Sequence, residues 1–165
     1  QMPRGRDRSR SRTPRREAAA AAQRFVATAM QGPDCVQPLV RCLGEGPLEL
    51  RTEAAGALGE LAGNGDADDQ AEIIAAGAPM MLVQLLEETS GRDRAVVADT
   101  LGHLAEGSET AAAALMEAGA AERLAQLVAE ASPEASENAA RALRMFADAD
   151  PLTSKGATTL TGGLR

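Results

Sequence analysis

The alternation of hydrophobic and polar positions is clearest between Gly77 and Ala105. Met80, Met81, Leu82, Val83, Leu85 and Leu86 come first; after Glu87-Glu88-Thr89-Ser90-Gly91 follow Val96, Val97, Leu101 and Leu104. Apolar residues three, four and seven apart place a buried stripe on one face of a helix, so this stretch predicts two helices joined by a polar turn. The pattern recurs. Leu39-Val40-x-x-Leu43, Leu82-Val83-x-x-Leu86 and Leu124-Ala125-x-x-Val128 form one block with starts at 39, 82 and 124. Leu58-x-x-Leu61-Ala62, Leu101-x-x-Leu104-Ala105 and Leu143-x-x-Phe146-Ala147 form a second, with starts at 58, 101 and 143. Two independent blocks keeping one period of 42–43 residues mark a repeat protein.

The segments between these blocks complete each unit. Glu17 to Gln31 predicts an alanine-rich helix with Phe25, Val26 and Met30 on one side, ended by Gly32-Pro33. A helix from Asp34 through Leu43 follows, then the turn Gly44-Glu45-Gly46-Pro47 and a longer helix to about Ala62, stopped by Gly63-Asn64-Gly65. Asp66, Asp68 and Asp69 do not open a calcium loop, because its sixth and twelfth positions hold Ala71 and Gly77 in place of glycine and glutamate. They are expected to cap a short helix, Gln70–Ala76, which Gly77 ends before Pro79 enters the next. The third unit repeats the plan with Thr110–Ala118, Gly119 and Ala121–Ala131, and Ser132-Pro133-Glu134 opens a last helix to about Ala147.

Each unit thus has a short helix, a glycine corner, a medium helix, a turn and a long helix. This resembles the armadillo repeat of importin-α and β-catenin-type solenoids. The resemblance is carried by Ala76-Gly77-Ala78 and Glu117-Ala118-Gly119-Ala120 at the corners, and by Ala54-Ala55-Gly56-Ala57-Leu58-Gly59-Glu60-Leu61-Ala62 and Ala139-Ala140-Arg141-Ala142-Leu143 in the third helices. HEAT repeats are the nearest alternative, but their two-helix unit has no place for the short helix before Gly77 and Gly119. The resemblance implies an all-α, right-handed α-solenoid of about three three-helix repeats: 17–65 (atypical, with Gly32-Pro33-Asp34 for a corner), 66–107 and 108–147. It also implies a groove along the third helices that takes an extended peptide. In the importin-α branch a tryptophan and an asparagine four residues apart clamp that peptide. Here the tryptophan places hold Gly56, Asp99 and Arg141 and the asparagine places hold Glu60, His103 and Met145, so the clamps are missing from every repeat. Glu60 and Asp99 suit a basic ligand; Arg141 reverses the sign in the third repeat. Uncapped terminal repeats favour association into a larger assembly, and Leu48, Leu50, Met145 and Phe146 are the apolar candidates for the end faces.

Composition narrows the chemistry. Of 165 residues 44% are hydrophobic, and the aromatics are two phenylalanines, so the core is built of alanine and aliphatic side chains. Residues 1–17 hold Arg4, Arg6, Arg8, Arg10, Arg12, Arg15 and Arg16 against Asp7 and Glu17, a net of +5. The rest carries ten basic against 22 acidic residues, a net of −12. Residues 1–16 lack apolar periodicity and are expected to be disordered when unbound; 148–165, also without a stripe, read as a flexible tail. Alternating Arg-Ser at Arg8–Arg12, then Thr13-Pro14, resembles the arginine–serine segments of splicing-related proteins, a proline-directed phosphorylation site and a nuclear-localisation patch; an organelle transit peptide has the same composition. The alternatives of a signal, a basic arm lying on the acidic solenoid and a leader stay open.

Cys35 and Cys42, seven apart on one predicted helix, lie roughly 10 Å apart, beyond the ~7 Å reach of a disulfide. Reduced, buried thiols point to a reducing compartment, cytoplasm or nucleus. No run of 18 apolar residues spans a membrane. One histidine, His103, with no phosphate loop, metal spacing or nucleophile elbow, leaves no catalytic constellation, no cofactor and no metal site. The function expected is a non-catalytic scaffold or adaptor for a protein or extended peptide. The alternative is an RNA-associated or nuclear protein acting through the Arg/Ser tail, with weak, sequence-blind RNA contact, since no aromatic residue is there to stack bases and the body is acidic.

Overall fold

Alanine is the best helix former, and leucine at heptad-like spacing supplies the stripe that packs one helix on another. A computed structural model describes residues 13–32, 34–64, 67–106, 108–130 and 133–149, and among them every regular element is a helix. The order is α1 (Thr13–Ala29), α2 (Val36–Glu45), α3 (Leu48–Asn64), α4 (Ala67–Ala75), α5 (Ala78–Glu88), α6 (Gly91–Ala105), α7 (Glu109–Glu117), α8 (Ala120–Glu130) and α9 (Pro133–Ala149).

Local chemistry sets the boundaries. Gly77 and Gly119 have φ of 81° and 82°, the left-handed conformation that costs an L side chain about 1–2 kcal/mol, so glycine turns α4 into α5 and α7 into α8 at the same corner. Ser108 caps α7 by accepting a hydrogen bond from the Ala111 amide at 3.2 Å. α1 starts at Thr13, four residues before the expected start at Glu17, so residues 13–16 belong to the helix and not to the tail; Pro14 sits in the first turn, where its missing N–H is no loss. α4 starts at Ala67, so Asp68 and Asp69 sit inside its first turn, favoured by the helix dipole. Cys35 precedes α2 rather than riding on it.

Packing gives a layered stack. The long helices α1, α3, α6 and α9 lie side by side in one layer; α2, α5 and α8 succeed one another beside it, and α4 and α7 complete the second and third units. α1 stands to α3 as α3 stands to α6. It fills the place of a third helix in a preceding repeat, and the first unit consists of α2 and α3 alone. That is why Gly32-Pro33-Asp34 does not match the other corners: it joins a third-helix element to a second helix.

The apolar blocks are the core. Leu39, Leu43, Leu58, Leu82, Leu101, Leu104 and Leu124 are fully enclosed, each worth about 1.5–3 kcal/mol relative to exposure. Repeats touch through small residues. A Cβ on Gly59 would lie 2.8 Å from Oγ1 of Thr100, and one on Gly102 would lie 3.3 Å from Cα of Ala142. In the third repeat the corresponding residue is Arg144, which is exposed. Hydrogen bonds tie the same layers: the Thr100 hydroxyl lies 3.0 Å from the carbonyl oxygen of Ala55, and Asn138 Nδ2 donates to that of Ala95 at 3.0 Å.

The end faces differ from the expectation. Phe146 is buried in the core, and Leu48, Leu50 and Met145 are half-buried against it. Among the described residues the exposed large apolar side chains are Phe25, Met80, Met116 and Val128. Val128 corresponds to Leu43 and Leu86, yet it is 42% exposed where they are 0% and 2%. Among the described residues no helix stacks beyond α8 and α9 to cover it.

Candidate functional site

On the long-helix layer a concavity of about 320 Å³ opens between α3 and α6, with Asn138 of α9 at its edge. Its walls include Gly56, Gly59 and Glu60 from α3 and Arg92, Val96, Asp99, Thr100 and His103 from α6. Four of the six residues singled out at the third-helix positions, Gly56, Glu60, Asp99 and His103, are therefore brought together. They meet because the 43-residue period places Gly56 beside Asp99 and Glu60 beside His103 on adjacent parallel elements.

The other two lie alongside. Arg141 of α9 forms an ion pair with Oδ1 of Asp99, and His103 Nδ1 lies 3.9 Å from Oδ2 of the same carboxylate. Asp99 is one-third exposed and Arg141 slightly more, so water screens the pair. Met145 does not reach the concavity; its sulfur lies against Gly102 in the α6–α9 contact. The carboxylate of Glu60 is exposed and has no ion-pair partner among the described residues.

The expected acidic character is thus partly cancelled. Asp99 is engaged from within the chain, and Arg92 adds a positive charge to the same wall. Arg92, Asn138, Gly59 and Thr100 were not anticipated, although the period contains the signal: Arg92 is one heptad before Asp99, and Asn138 is three residues before Arg141. The missing side chains of Gly56 and Gly59 set how closely α3 packs on α6, since a Cβ on either would meet Val96 or Thr100.

A second concavity of about 330 Å³ is framed by Leu86, Glu87, Arg94, Arg123, Gln126 and Leu127 from α5, α6 and α8. An Arg123–Glu87 ion pair crosses it, and the buried Nε of Arg94 has no hydrogen-bond partner among the described residues. The corresponding Arg51 donates Nε to the Leu43 carbonyl at 2.9 Å and both terminal nitrogens to Glu88 at 2.6 and 3.2 Å. That set joins successive repeats.

Both cysteines are free. Cys35 is buried, and burial raises the Cys42 thiol above its usual range, with Arg41 pulling the other way; neither lines the concavity that holds His103. Among the described residues no group of three His, Cys, Asp or Glu is placed to hold a metal ion, and no helix is long and apolar enough to cross a membrane. Arg4, Arg6, Arg8, Arg10 and Arg12 lie outside the described residues; Arg15 and Arg16 are on α1.

Comparison with known proteins supports this architecture. Residues 28–63 match the armadillo/β-catenin-like repeat. None of the curated proteins matches the chain. Among solved structures, an engineered protein from the Northeast Structural Genomics Consortium is 31% identical with a TM-score of 0.68, over 89% of this chain and 61% of that one. A designed armadillo repeat protein in complex with the peptide (KR)4 is 31% identical with a TM-score of 0.63, over 68% of this chain and 46% of that one. A computationally designed armadillo repeat protein for modular peptide recognition is 25% identical with a TM-score of 0.67, over 91% of this chain and 67% of that one. The chain spans less than two thirds of the length of the first two.

Proposed function

Taking the chain as the armadillo-type α-solenoid that its repeats and its structural neighbours define, we propose that it is a non-catalytic scaffold that binds an extended peptide segment of a protein partner along the α3–α6–α9 layer. The carrying observation is the concavity itself. Glu60, Arg92, Asp99, His103 and Asn138, contributed by successive long helices, surround it with donors and acceptors. An extended backbone lying there meets one set of polar groups per repeat, and the free carboxylate of Glu60 favours a cationic side chain. The solved neighbour holding a Lys/Arg peptide supports the same chemistry for this fold.

The test is fluorescence anisotropy of a labelled (KR)4 peptide with the full chain, beside an acidic peptide of equal length. Saturable binding that weakens two- to fivefold in Glu60→Gln is expected, the ~0.5–1 kcal/mol of one exposed charge pair. Absence of saturation, or equal binding of the acidic peptide, overturns the proposal.

The charge division favours a second reading, in which the Arg-rich segment contacts RNA or lies on the acidic solenoid. Salt-titrated RNA binding by the full chain and by a chain beginning at Thr13, which keeps α1 whole, separates the two. Loss of RNA binding with the segment transfers the function to it.

A further inference from the structure

The residues at one register position of the long helices, Gly56, Asp99 and Arg141, are not three independent contacts. Arg141 reaches from α9 to Asp99 on α6 and takes one carboxylate oxygen, while His103, one turn along α6, faces the other at 3.9 Å. Asp99 is one of two carboxylates on the concavity, and its charge is matched before any ligand arrives. Arg92, seven residues earlier on α6, stands on the same wall with no carboxylate paired to it among the described residues. What remains for a cation is Glu60, on the neighbouring helix.

We propose that Arg141 is a specificity-determining residue: by occupying Asp99 from within the chain it fills the cation site of the middle repeat, so the groove accepts one basic side chain, opposite Glu60, and gains little from an uninterrupted basic run. This rests on the peptide-binding reading above. The physical basis is competition. A second cationic side chain of the ligand, one repeat along, must displace a guanidinium already tethered at Asp99, and Arg92 repels it from the same wall. A tethered group competes at high effective concentration without any cost of association. Selection through a repulsive or pre-filled site is a general route to discrimination.

The experiment measures two peptides against four full-length chains by anisotropy at low salt: (KR)4, and an alanine-rich peptide of equal length with one central lysine. The native chain is expected to bind the two within about threefold of each other. Arg141→Gln releases Asp99 and raises affinity for (KR)4 by about fivefold, with the single-lysine peptide changing less than twofold. Asp99→Asn combined with Arg141→Gln removes that gain. Arg141→Lys, which keeps the charge, stays near the native values. Should Arg141→Gln melt below the assay temperature by circular dichroism, Arg141→Met, which retains the aliphatic stem, replaces it.

The proposal is overturned if Arg141→Gln leaves (KR)4 affinity within twofold of native, or if the gain survives loss of Asp99. In either case Glu60→Gln still weakening (KR)4 shows that the groove reading stands and the gate alone fails. Insensitivity of (KR)4 to Glu60→Gln in the native chain removes the groove reading and this inference together.

Discussion

Gly59 is where a single atom decides how closely two repeats approach. Alanine is the better helix former by about 1 kcal/mol, so replacing an interior helical glycine normally stabilises. Here the added Cβ would meet Thr100 at 2.8 Å from Oγ1 and 3.2 Å from Cα. Rotating the threonine relieves only the first contact, because the second is backbone. Overpacking of this kind costs about 1–3 kcal/mol. Gly59→Ala is therefore expected to lower the unfolding free energy, read from the urea midpoint at unchanged slope; a rise in midpoint would show that α3 and α6 separate without penalty. Thr100 reinforces the contact, since its hydroxyl also reaches the Ala55 carbonyl across the repeat boundary.

Among the elements, the corners carry the geometry. Gly77 has φ of 81° and nothing within 4 Å of a Cβ placed there, so the objection to a side chain is conformational and not steric crowding. Gly77→Ala is expected to cost about 1–2 kcal/mol; a change below a few tenths, by chemical denaturation, would mean that the corner relaxes to negative φ. These corners were legible in the sequence because glycine at a helix end has few other uses, and so were the stripes of α2, α5 and α6. Three features were not. α1 reads as an alanine-rich helix, but only packing shows that it stands in the place of a third helix. Val128 obeys the apolar period yet is exposed, since periodicity records which face is apolar and not whether a neighbour covers it. The Asp99–Arg141 pair joins residues 42 apart in helices whose separate patterns say nothing of their side-chain reach. The repeat register placed Glu60 and Asp99 in one groove; it did not disclose that Asp99 is already engaged.

The whole molecule is a linear stack in which each unit touches its neighbours, so stability is a sum of unit and interface terms. The middle unit, α4–α6, is held by a unit on each side; the first has α1 alone on its outer side, and among the described residues nothing stacks beyond the third. Leu101, fully buried at the centre, is expected to cost about 2–5 kcal/mol on truncation to alanine. Val128→Ala, on the exposed face of α8, should cost less than about 1 kcal/mol. Thermal melts of the two variants check this, and equal losses would contradict the exposure of Val128. The row Gly59, Gly102 and Arg144 has a consequence for anyone who would treat this chain as a building block. Two of its three joints are socketed for another unit, and the third is stoppered by a guanidinium stem. Grafting one more module after α9 calls for Arg144→Gly before any other edit, and without it the array would splay at its newest joint.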